Sequence, residues 1–261
     1  MSEAGVVIHP TAVVDGEARL GTGVEIGPFT LVEGDVELGD NVILGPHVHV
    51  APGSRLGDDV QVFTGAAIGN IPQDLKFAGE ESTLVVGPRT VIREFCTLHR
   101  GTVDRRTTQI GADCLLMAYV HVAHDCVVGD HCVLANSLQM GGHVFLGEWV
   151  IIGGNSAVHQ FCHVGDHAMV GGGFRVVQDV PPYIRVAGEP LKPAGINSVG
   201  LQRRGFDSEA ISILKKAYRF LFRSGLNRTN AIEKIQNELP QTPEILNLLN
   251  FIENSERGLI G

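Results

Sequence analysis

Residues 110–146 read IGADCLLMAYVHVAHDCVVGDHCVLANSLQMGGHVFL, and an aliphatic side chain returns at every sixth position from Ile110 to Leu146. The same phase extends backwards to Ile8 and forwards to Val176. Chance does not produce so regular a series, which indicates a structural repeat of six residues. Of the 29 positions in the whole series, the ones that are not aliphatic are Asp74, Glu80 and Asp104.

Each six-residue unit is expected to contain a short strand and a corner. The position two before each aliphatic residue mostly carries a small side chain, as at Val24 and Val60. Residues two apart point to the same face of a strand, so both side chains of a unit point inwards. The central positions of the units are rich in Gly, Pro, Asp and Asn, which favour turns. A strand and a corner every six residues predict a parallel β-helix.

This pattern resembles the hexapeptide-repeat acyltransferases, whose fold is a left-handed β-helix of triangular section. The left hand comes from the resemblance, because spacing alone does not give it. The resemblance also implies that three hexapeptides close a coil and that coils stack about 4.8 Å apart. We therefore predict a mainly β fold, with a left-handed parallel β-helix over residues 1–190 and a small C-terminal α-helical domain over residues 191–261.

Two interruptions of the repeat, near residues 70–84 and 103–109, are expected to form loops outside the β-helix, where binding residues often lie. Pro181 and Pro182 are expected to stop a further coil from pairing cleanly. Capping and stop signals then predict helices over 208–223, over 229–239 and from Pro243 onwards. Residues 201–228 carry a local charge of +5, which suits either a solvated helix face or an anionic partner.

Composition restricts the possible partners and location. The net charge of −9 argues against nonspecific binding of nucleic acid, which needs basic surface. No apolar run approaches the roughly 18 residues of a membrane helix, and the first residues lack the pattern of a secretory signal. We therefore expect a cytoplasmic protein with no nucleic-acid partner and no integral membrane segment.

Polar and titratable residues fall where successive coils stack. Val122, Met140 and Val158 share one inward column, so His124, Gly142 and Gln160 should stack at the corner beside it. If the second loop replaces one hexapeptide, Leu98 lies under Val122. This stacking predicts a polar stripe along one edge, with members His99, His121, His124, Gly142, His143, His159 and Gln160.

The stripe contains groups suited to acyl transfer. His124 can titrate near neutral pH and remove a proton from a hydroxyl. Asp125 can fix the tautomer of His124 and stabilise the imidazolium, if the corner turns the two side chains together. Gly142 can offer a backbone N–H to a developing oxyanion.

Specific motifs narrow the resemblance, and it extends over the whole chain. The segments His121-Val-Ala-His124-Asp125, Gly141-Gly-His143-Val, Ala157-Val-His159-Gln160-Phe161 and Leu201-Gln-Arg203-Arg204 resemble the UDP-N-acetylglucosamine 3-O-acyltransferases, which catalyse the first step of lipid A biosynthesis. The resemblance implies transfer of a (3R)-hydroxyacyl group from acyl carrier protein to the sugar 3-position, without a metal or cofactor. It also implies a homotrimer whose sites lie between subunits.

The resemblance assigns roles to individual positions. His124 matches the general base, Asp125 its orienting acid and Gly142 the oxyanion donor. Contacts to the sugar, phosphates or acyl group are implied for Asp74, Lys76, His121, His143, His159 and Gln160, with His99 in the same stripe. Contacts to the uridine-diphosphate end of the substrate are implied for Asn197, Arg203 and Arg204. Gly172 matches a position where side-chain size limits acyl length.

Several alternatives stay open at this point. Some relatives prefer a 3-amino sugar as the acceptor. A zinc hydratase of the carbonic-anhydrase type uses the same fold, and its ligands would come from His143, His159 and His163. A non-catalytic scaffold is a third hypothesis, and it predicts that replacing His124 changes no activity.

Overall fold

Short strands separated by corners make up most of the molecule. The computed structural model describes residues 5–261, which form 28 strands and four α-helices. In chain order the strands are β1 (Val7–Ile8), β2 (Val13–Val14), β3 (Arg19–Leu20), β4 (Glu25–Ile26), β5 (Leu31–Val32), β6 (Glu37–Leu38), β7 (Ile43–Leu44), β8 (His49–Val50), β9 (Ser54–Leu56), β10 (Gln61–Val62), β11 (Ala67–Asn70), β12 (Thr83–Val86), β13 (Val91–Ile92), β14 (Thr97–His99), β15 (Thr107–Ile110), β16 (Leu115–Leu116), β17 (His121–Val122), β18 (Val127–Val128), β19 (Val133–Leu134), β20 (Gln139–Met140), β21 (Phe145–Leu146), β22 (Ile151–Ile152), β23 (Ala157–Val158), β24 (His163–Val164), β25 (Met169–Val170), β26 (Arg175–Val176), β27 (Ile184–Ala187) and β28 (Lys192–Ile196). The helices are α1 (Ser198–Arg203), α2 (Ser208–Phe222), α3 (Arg228–Glu238) and α4 (Pro243–Glu253).

Strands three apart in the sequence pair in parallel and build three faces. Face A contains every third strand from β1 to β25, followed by β27 and β28; face B runs from β2 to β26, and face C from β3 to β24. We name each edge by the faces it joins, so the B–C edge holds the residues between a face B strand and the next face C strand. This architecture confirms the predicted parallel β-helix.

The repeat register positions the corner residues. Leu98 pairs with Val122, and Val122 with Met140, so the inward column continues past the second loop as predicted. These inward side chains are fully or almost fully buried. Burial of this apolar column, at roughly 25 cal/mol per Å², fixes the phase of every coil.

A non-glycine residue with positive φ recurs in the corners, as at Asp125 (φ 58°), His143 (φ 60°) and Phe161 (φ 63°). Left-handed backbone costs an L-residue about 1 kcal/mol or more. Hydrogen bonds between coils offset that cost: the His143 N–H donates to the His124 carbonyl at 3.1 Å. Side chains of successive corners therefore stack above one another along an edge.

Both interruptions of the repeat leave the β-helix at the B–C edge. The first loop connects β11 to β12 and the second connects β14 to β15. Because the proposed catalytic stripe lies on the same edge, the loops lie beside it.

The chain departs from the sequence-based expectation after Val176. Pro181 and Pro182 do not end the pairing, because both precede β27 and leave its N–H groups free to bond. Strand β27 pairs in parallel with β25 on face A, and β28 returns antiparallel to β27. The predicted domain boundary at residue 190 falls in the turn of this hairpin, and the division at that point stays a prediction.

The helical part follows the capping signals closely. Asp207 accepts from the Ala210 N–H at 2.7 Å and caps α2, and Pro243 opens α4 in the first helical position. The short helix α1, capped by Asn197, lacks a periodic signal and was not predicted. Within the described part of the chain, no helix combines the length and apolar character that a membrane crossing requires.

Candidate active site

The predicted stripe forms where the chain leaves β17 and turns towards β18. His124 and Asp125 lie in this corner of the B–C edge, with Gly142 and His143 in the corner of the next coil. The stacking of coils thus brings together residues that are 17 to 19 positions apart in sequence.

His124 and Asp125 are hydrogen-bonded to each other. Their Nδ1 and Oδ2 atoms are 2.8 Å apart. Neighbouring side chains of a strand point in opposite directions, but the positive φ of Asp125 turns its carboxylate back towards the imidazole. The His124 side chain is 17% exposed and that of Asp125 is fully buried. Because Nδ1 is engaged, Nε2 is the nitrogen left for a substrate.

Two threonines hold Asp125 in place. Thr102 donates its N–H to Oδ1 at 2.9 Å and its hydroxyl to Oδ2 at 2.5 Å. The Asp125 N–H donates to the Thr108 hydroxyl at 2.8 Å. Burial raises the pKa of Asp125, but hydrogen bonds from Thr102 and His124 outweigh it and hold the pKa below its usual value. The carboxylate therefore stays anionic at neutral pH.

Sequence reasoning missed both threonines. Thr102 and Thr108 occupy the small inward position of the repeat, four residues after an aliphatic position or two before one. A hydroxyl at that position next to a corner carboxylate is the signal that identifies them.

Gly142 lies against the imidazole of His124. A β-carbon at this position would lie 2.6 Å from Cε1 and 2.7 Å from Nε2 of His124. No side chain fits there without moving the imidazole. Among the hydrogen bonds of residues 5–261, none uses the Gly142 N–H, so this donor is available to a bound oxyanion beside Nε2.

His143 closes the other side of the pair. Its ring meets His124 edge-on with centroids 5.2 Å apart and stacks on Phe161 at 4.6 Å. Its Nε2 lies 3.7 Å from Asp125 Oδ2 and 3.6 Å from Asp104 Oδ2. The second loop thus contributes a carboxylate to the site.

The zinc ligand set considered above is not assembled. Among the described residues, the group of candidate ligand atoms within 4.8 Å of one another consists of His124, Asp125 and His143. His159 and His163 do not join it. Within the described part of a single chain, the hydratase hypothesis therefore lacks the three convergent imidazoles that it requires.

His99 and His121 form a second pair, with ring centroids 5.2 Å apart. His121 begins β17, in the coil of His124, and His99 ends β14, one coil below. His121 Nδ1 lies 2.8 Å from the Thr97 hydroxyl, and His99 Nδ1 lies 2.6 Å from the Ile71 carbonyl. Burial lowers the pKa of both, and that of His121 to about 4 with further contributions from His99 and His124. Both rings are neutral at physiological pH and suit hydrogen bonding rather than charge pairing.

The remaining predicted contacts of the B–C edge are more open. His159 and Gln160 are exposed in the coil above Gly142, and the His159 ring bonds to the Gln160 carbonyl at 3.0 Å. Asp74 and Lys76 lie in the first loop, where the Asp74 carboxylate accepts the Lys76 N–H at 3.0 Å. Contacts of these four side chains with a substrate stay a prediction.

Asn197, Arg203 and Arg204 lie elsewhere. Asn197 donates to the carbonyl of His167, which belongs to the C–A edge, at 2.9 Å. The Arg204 guanidinium lies 5.0 Å above Trp149 of the same edge, and burial lowers its pKa. A single chain therefore does not bring Asn197 or Arg204 to His124.

Gly172 lies on the third edge, between faces A and B. A β-carbon there would approach the Gly154 carbonyl oxygen to 3.1 Å. The residue is exposed, but a side chain there would have to pass close to the backbone of Gly154.

Comparison with known proteins identifies the family. The family model described as "Bacterial transferase hexapeptide (six repeats)" matches residues 107–142, and "Udp N-acetylglucosamine O-acyltransferase; Domain 2" matches residues 179–260. An acyl-[acyl-carrier-protein]–UDP-N-acetylglucosamine O-acyltransferase of Janthinobacterium sp. (strain Marseille) is 46% identical over 259 residues, covering 97% of this chain and 99% of the relative. The corresponding protein of Halorhodospira halophila is 46% identical over 254 residues, covering 97% and 98%.

A solved structure agrees over the whole chain. LpxA of Bacteroides fragilis, described as a UDP-N-acetylglucosamine acyltransferase, superposes with a TM-score of 0.96 at 45% identity, covering 98% of this chain and 100% of that one. The agreement includes the left-handed β-helix and the helical C-terminal part. The chain belongs to the acyl-[acyl-carrier-protein]–UDP-N-acetylglucosamine O-acyltransferase family.

Proposed function

We propose that this protein transfers a (3R)-hydroxyacyl chain from acyl carrier protein to the 3-hydroxyl of UDP-N-acetylglucosamine, the first step of lipid A biosynthesis. The observation that carries the proposal is the His124–Asp125 pair, with Nε2 of His124 close to Gly142, whose N–H has no hydrogen-bond partner among residues 5–261. A base and an oxyanion donor at one point are what acyl transfer to a hydroxyl requires. Since the donor and acceptor are a carrier protein and a nucleotide sugar, we place the reaction in the cytoplasm.

The proposed reaction proceeds in two steps. His124 Nε2 takes the proton of the sugar hydroxyl as its oxygen attacks the thioester carbonyl, and the Gly142 N–H binds the resulting oxyanion. The intermediate then collapses with cleavage of the C–S bond, and His124 returns the proton to the departing thiolate. Asp125 stabilises the imidazolium between the two steps.

Substrate contacts follow from the placement of the polar side chains. We assign His99, His121, His143, His159 and Gln160 to the sugar, phosphates and acyl group, since they surround the pair along the B–C edge. Asp74 and Lys76 of the first loop extend that surface. We propose that Gly172 gives room for a long acyl chain.

We infer that the enzyme is a homotrimer with sites shared between subunits. Asn197 and Arg204 contact the C–A edge, with Arg203 next to Arg204 in the chain, whereas His124 lies at the B–C edge. If they bind the uridine-diphosphate end of the same substrate, one subunit must supply the base and its neighbour the arginines. The basic stretch 201–228 then also lies where an acidic carrier protein can dock.

A transfer assay tests the proposed activity. The purified protein is given 3-hydroxyacyl carrier proteins of several chain lengths, with UDP-N-acetylglucosamine or its 3-amino analogue as acceptor. We expect turnover with the 3-hydroxy sugar and a long acyl chain. Turnover restricted to the amino sugar would reassign the acceptor, and no turnover with any pair would refute the proposal.

Mixing two inactive variants tests the shared site. Co-expressed His124→Ala and Arg204→Ala chains should regain activity, because some interfaces in a mixed trimer combine two intact contributions. If each site lay within one chain, the mixture would stay as inactive as its components.

A further inference from the structure

We propose that Thr102 is a positioning residue for the reaction, holding the Asp125 carboxylate in the orientation in which it supports His124. This inference rests on the proposed function, because it assigns Thr102 a part in the same proton transfer. Thr102 touches neither substrate nor His124 in the proposed mechanism and acts through Asp125.

The contact between Thr102 and Asp125 engages both carboxylate oxygens. Thr102 donates its N–H to Oδ1 at 2.9 Å and its hydroxyl to Oδ2 at 2.5 Å. Oδ2 also bonds to His124 Nδ1 at 2.8 Å. Two donors from a single residue fix the plane of the carboxylate, which would otherwise rotate about its side-chain bond. That plane determines the direction in which His124 is held.

The hydroxyl itself is oriented by its surroundings. It accepts a long hydrogen bond of 3.4 Å from the Asp104 N–H, which leaves its proton for Asp125. Thr102 and Asp125 are both buried, so bulk water does not replace a lost donor.

The first loop secures the segment that carries Thr102. The Glu80 carboxylate accepts from the Val103 N–H at 3.0 Å and from the Ala78 N–H at 2.9 Å. Glu80 thereby ties the first loop to the residue that follows Thr102. The hydrogen bonds of both loops therefore help to fix the position of Thr102 and of the Asp125 carboxylate that it binds.

Thr90 is the control residue for Thr102, because it is a buried threonine that has no contact with Asp125. Thr90 is also buried, donates to the Gly111 carbonyl at 2.8 Å and accepts from the Cys114 N–H at 3.1 Å. Both of these partners are backbone groups. Replacing Thr90 measures the general cost of losing a buried threonine hydroxyl in a coil, without a contact to Asp125.

Removal of the Thr102 hydroxyl should also change the pH dependence. Burial raises the pKa of Asp125 and the Thr102 hydroxyl opposes that rise, so its loss moves the pKa upwards. Asp125 and His124 share a hydrogen bond and titrate as a pair, so a more basic carboxylate raises the pH at which the pair takes up a proton, and the acidic limb of the kcat/KM profile shifts upwards. The titratable groups that face the pair are His99, His121 and His143, with Asp104 beside His143 and Cys126 next in sequence.

The test compares Thr102→Val, Thr102→Ser and Thr90→Val in the full-length enzyme. We expect Thr102→Val to lower kcat by roughly 10- to 100-fold and to shift the acidic limb upwards, with KM for both substrates changed by less than about twofold. Thr102→Ser should restore kcat to within about threefold, and Thr90→Val should leave kcat unchanged within about twofold. Thr102→Ala, which also lacks the hydroxyl, replaces Thr102→Val in the comparison if the valine variant does not fold.

Two outcomes would overturn the role of Thr102. One is a folded Thr102→Val or Thr102→Ala enzyme with unchanged kcat and an unmoved acidic limb. The other is a Thr102→Ser enzyme as impaired as Thr102→Val, since side-chain volume and not the hydroxyl would then matter. His124→Ala separates this failure from that of the proposed function: an inactive His124→Ala beside an unimpaired Thr102→Val refutes the positioning role alone, whereas an active His124→Ala refutes the base.

Discussion

The B–C edge and the C–A edge have the same backbone and different chemistry. Asp125 and Trp149 occupy equivalent corners with φ of 58° and 59°. At the B–C edge the corner carries a buried carboxylate with three side-chain or backbone donors. At the C–A edge Trp149 stacks on His131, with ring centroids 4.1 Å apart, and lies 6.4 Å from His167. The repeat alone therefore determines where each corner lies, and the side chains determine whether that corner is polar or aromatic.

The loops add the second difference between these edges. Both loops leave the β-helix at the B–C edge, and the second brings Thr102 to Asp125 and Asp104 to His143. The C–A edge instead receives the C-terminal helical part, through Asn197 and Arg204. Insertions thus supply one edge with a hydrogen-bond donor and a carboxylate, and the C-terminal part supplies the other with a cationic group.

Loss of the base should have the largest effect and distinguishes the two edges most sharply. His124→Ala is expected to lower kcat by about 10³-fold or more while the protein stays folded. His131→Ala, at the C–A edge, is the matched control and should change kcat by less than about threefold. Equal losses in the two variants would mean that the edges do not differ in catalytic role, and steady-state transfer rates decide between these results.

Gly142→Ala should have the next largest effect. Its β-carbon would meet His124 at 2.6 Å, so the imidazole must move out of line with the acceptor. We expect kcat to fall by roughly 10²-fold with a smaller change in KM. At Gly16, where a β-carbon has no neighbour within 4 Å, the same change should leave activity intact. A Gly142→Ala enzyme with full kcat would show that the close approach is unimportant.

Arg204→Lys tests the role of the C–A edge in binding rather than chemistry. Lysine keeps the charge but loses the planar group that lies over Trp149. We expect KM for the nucleotide sugar to rise roughly 10-fold with kcat changed by less than about threefold. A fall in kcat with unchanged KM would instead place Arg204 in the chemical step.

The smallest expected effect concerns stability at acidic pH, where the edges should behave alike. Burial lowers the pKa of His121, in β17 beside the B–C edge, and of His167 at the C–A edge to about 4, whereas an unfolded histidine titrates near 6.5. The unfolded chain takes up these protons first, so the stability is complete above pH 6.5 and falls as the pH drops towards 4. His121→Gln and His167→Gln should each make the decline of Tm with acid shallower. An unchanged slope in both variants would contradict the lowered pKa values.

The sequence predicted the coil register and the edge that carries His124, because burial of one aliphatic column leaves a single phase available to each coil. The sequence left open whether Asp125 contacts His124, because that contact depends on the positive φ of Asp125, which residue type alone does not specify. The role of Thr102 was missed because a threonine at an inward position is usually a core residue. The strands β27 and β28 were missed because two prolines precede them, although prolines ahead of a strand cost it no hydrogen bond.

The lengths of the two loops have a consequence for how such a site can arise. Ile68 pairs with Leu98 and Leu98 with Val122, whereas Val122 pairs with Met140, so the loops add two hexapeptides and one hexapeptide to a coil of 18 residues. Insertions of whole units leave every later residue on its original face. The positions that lost their place in the core are Asp74, Glu80 and Asp104. Of these, Glu80 now joins the loops and Asp104 faces His143. A β-helix can therefore acquire polar function by growing in steps of its own period, without rebuilding the coils above.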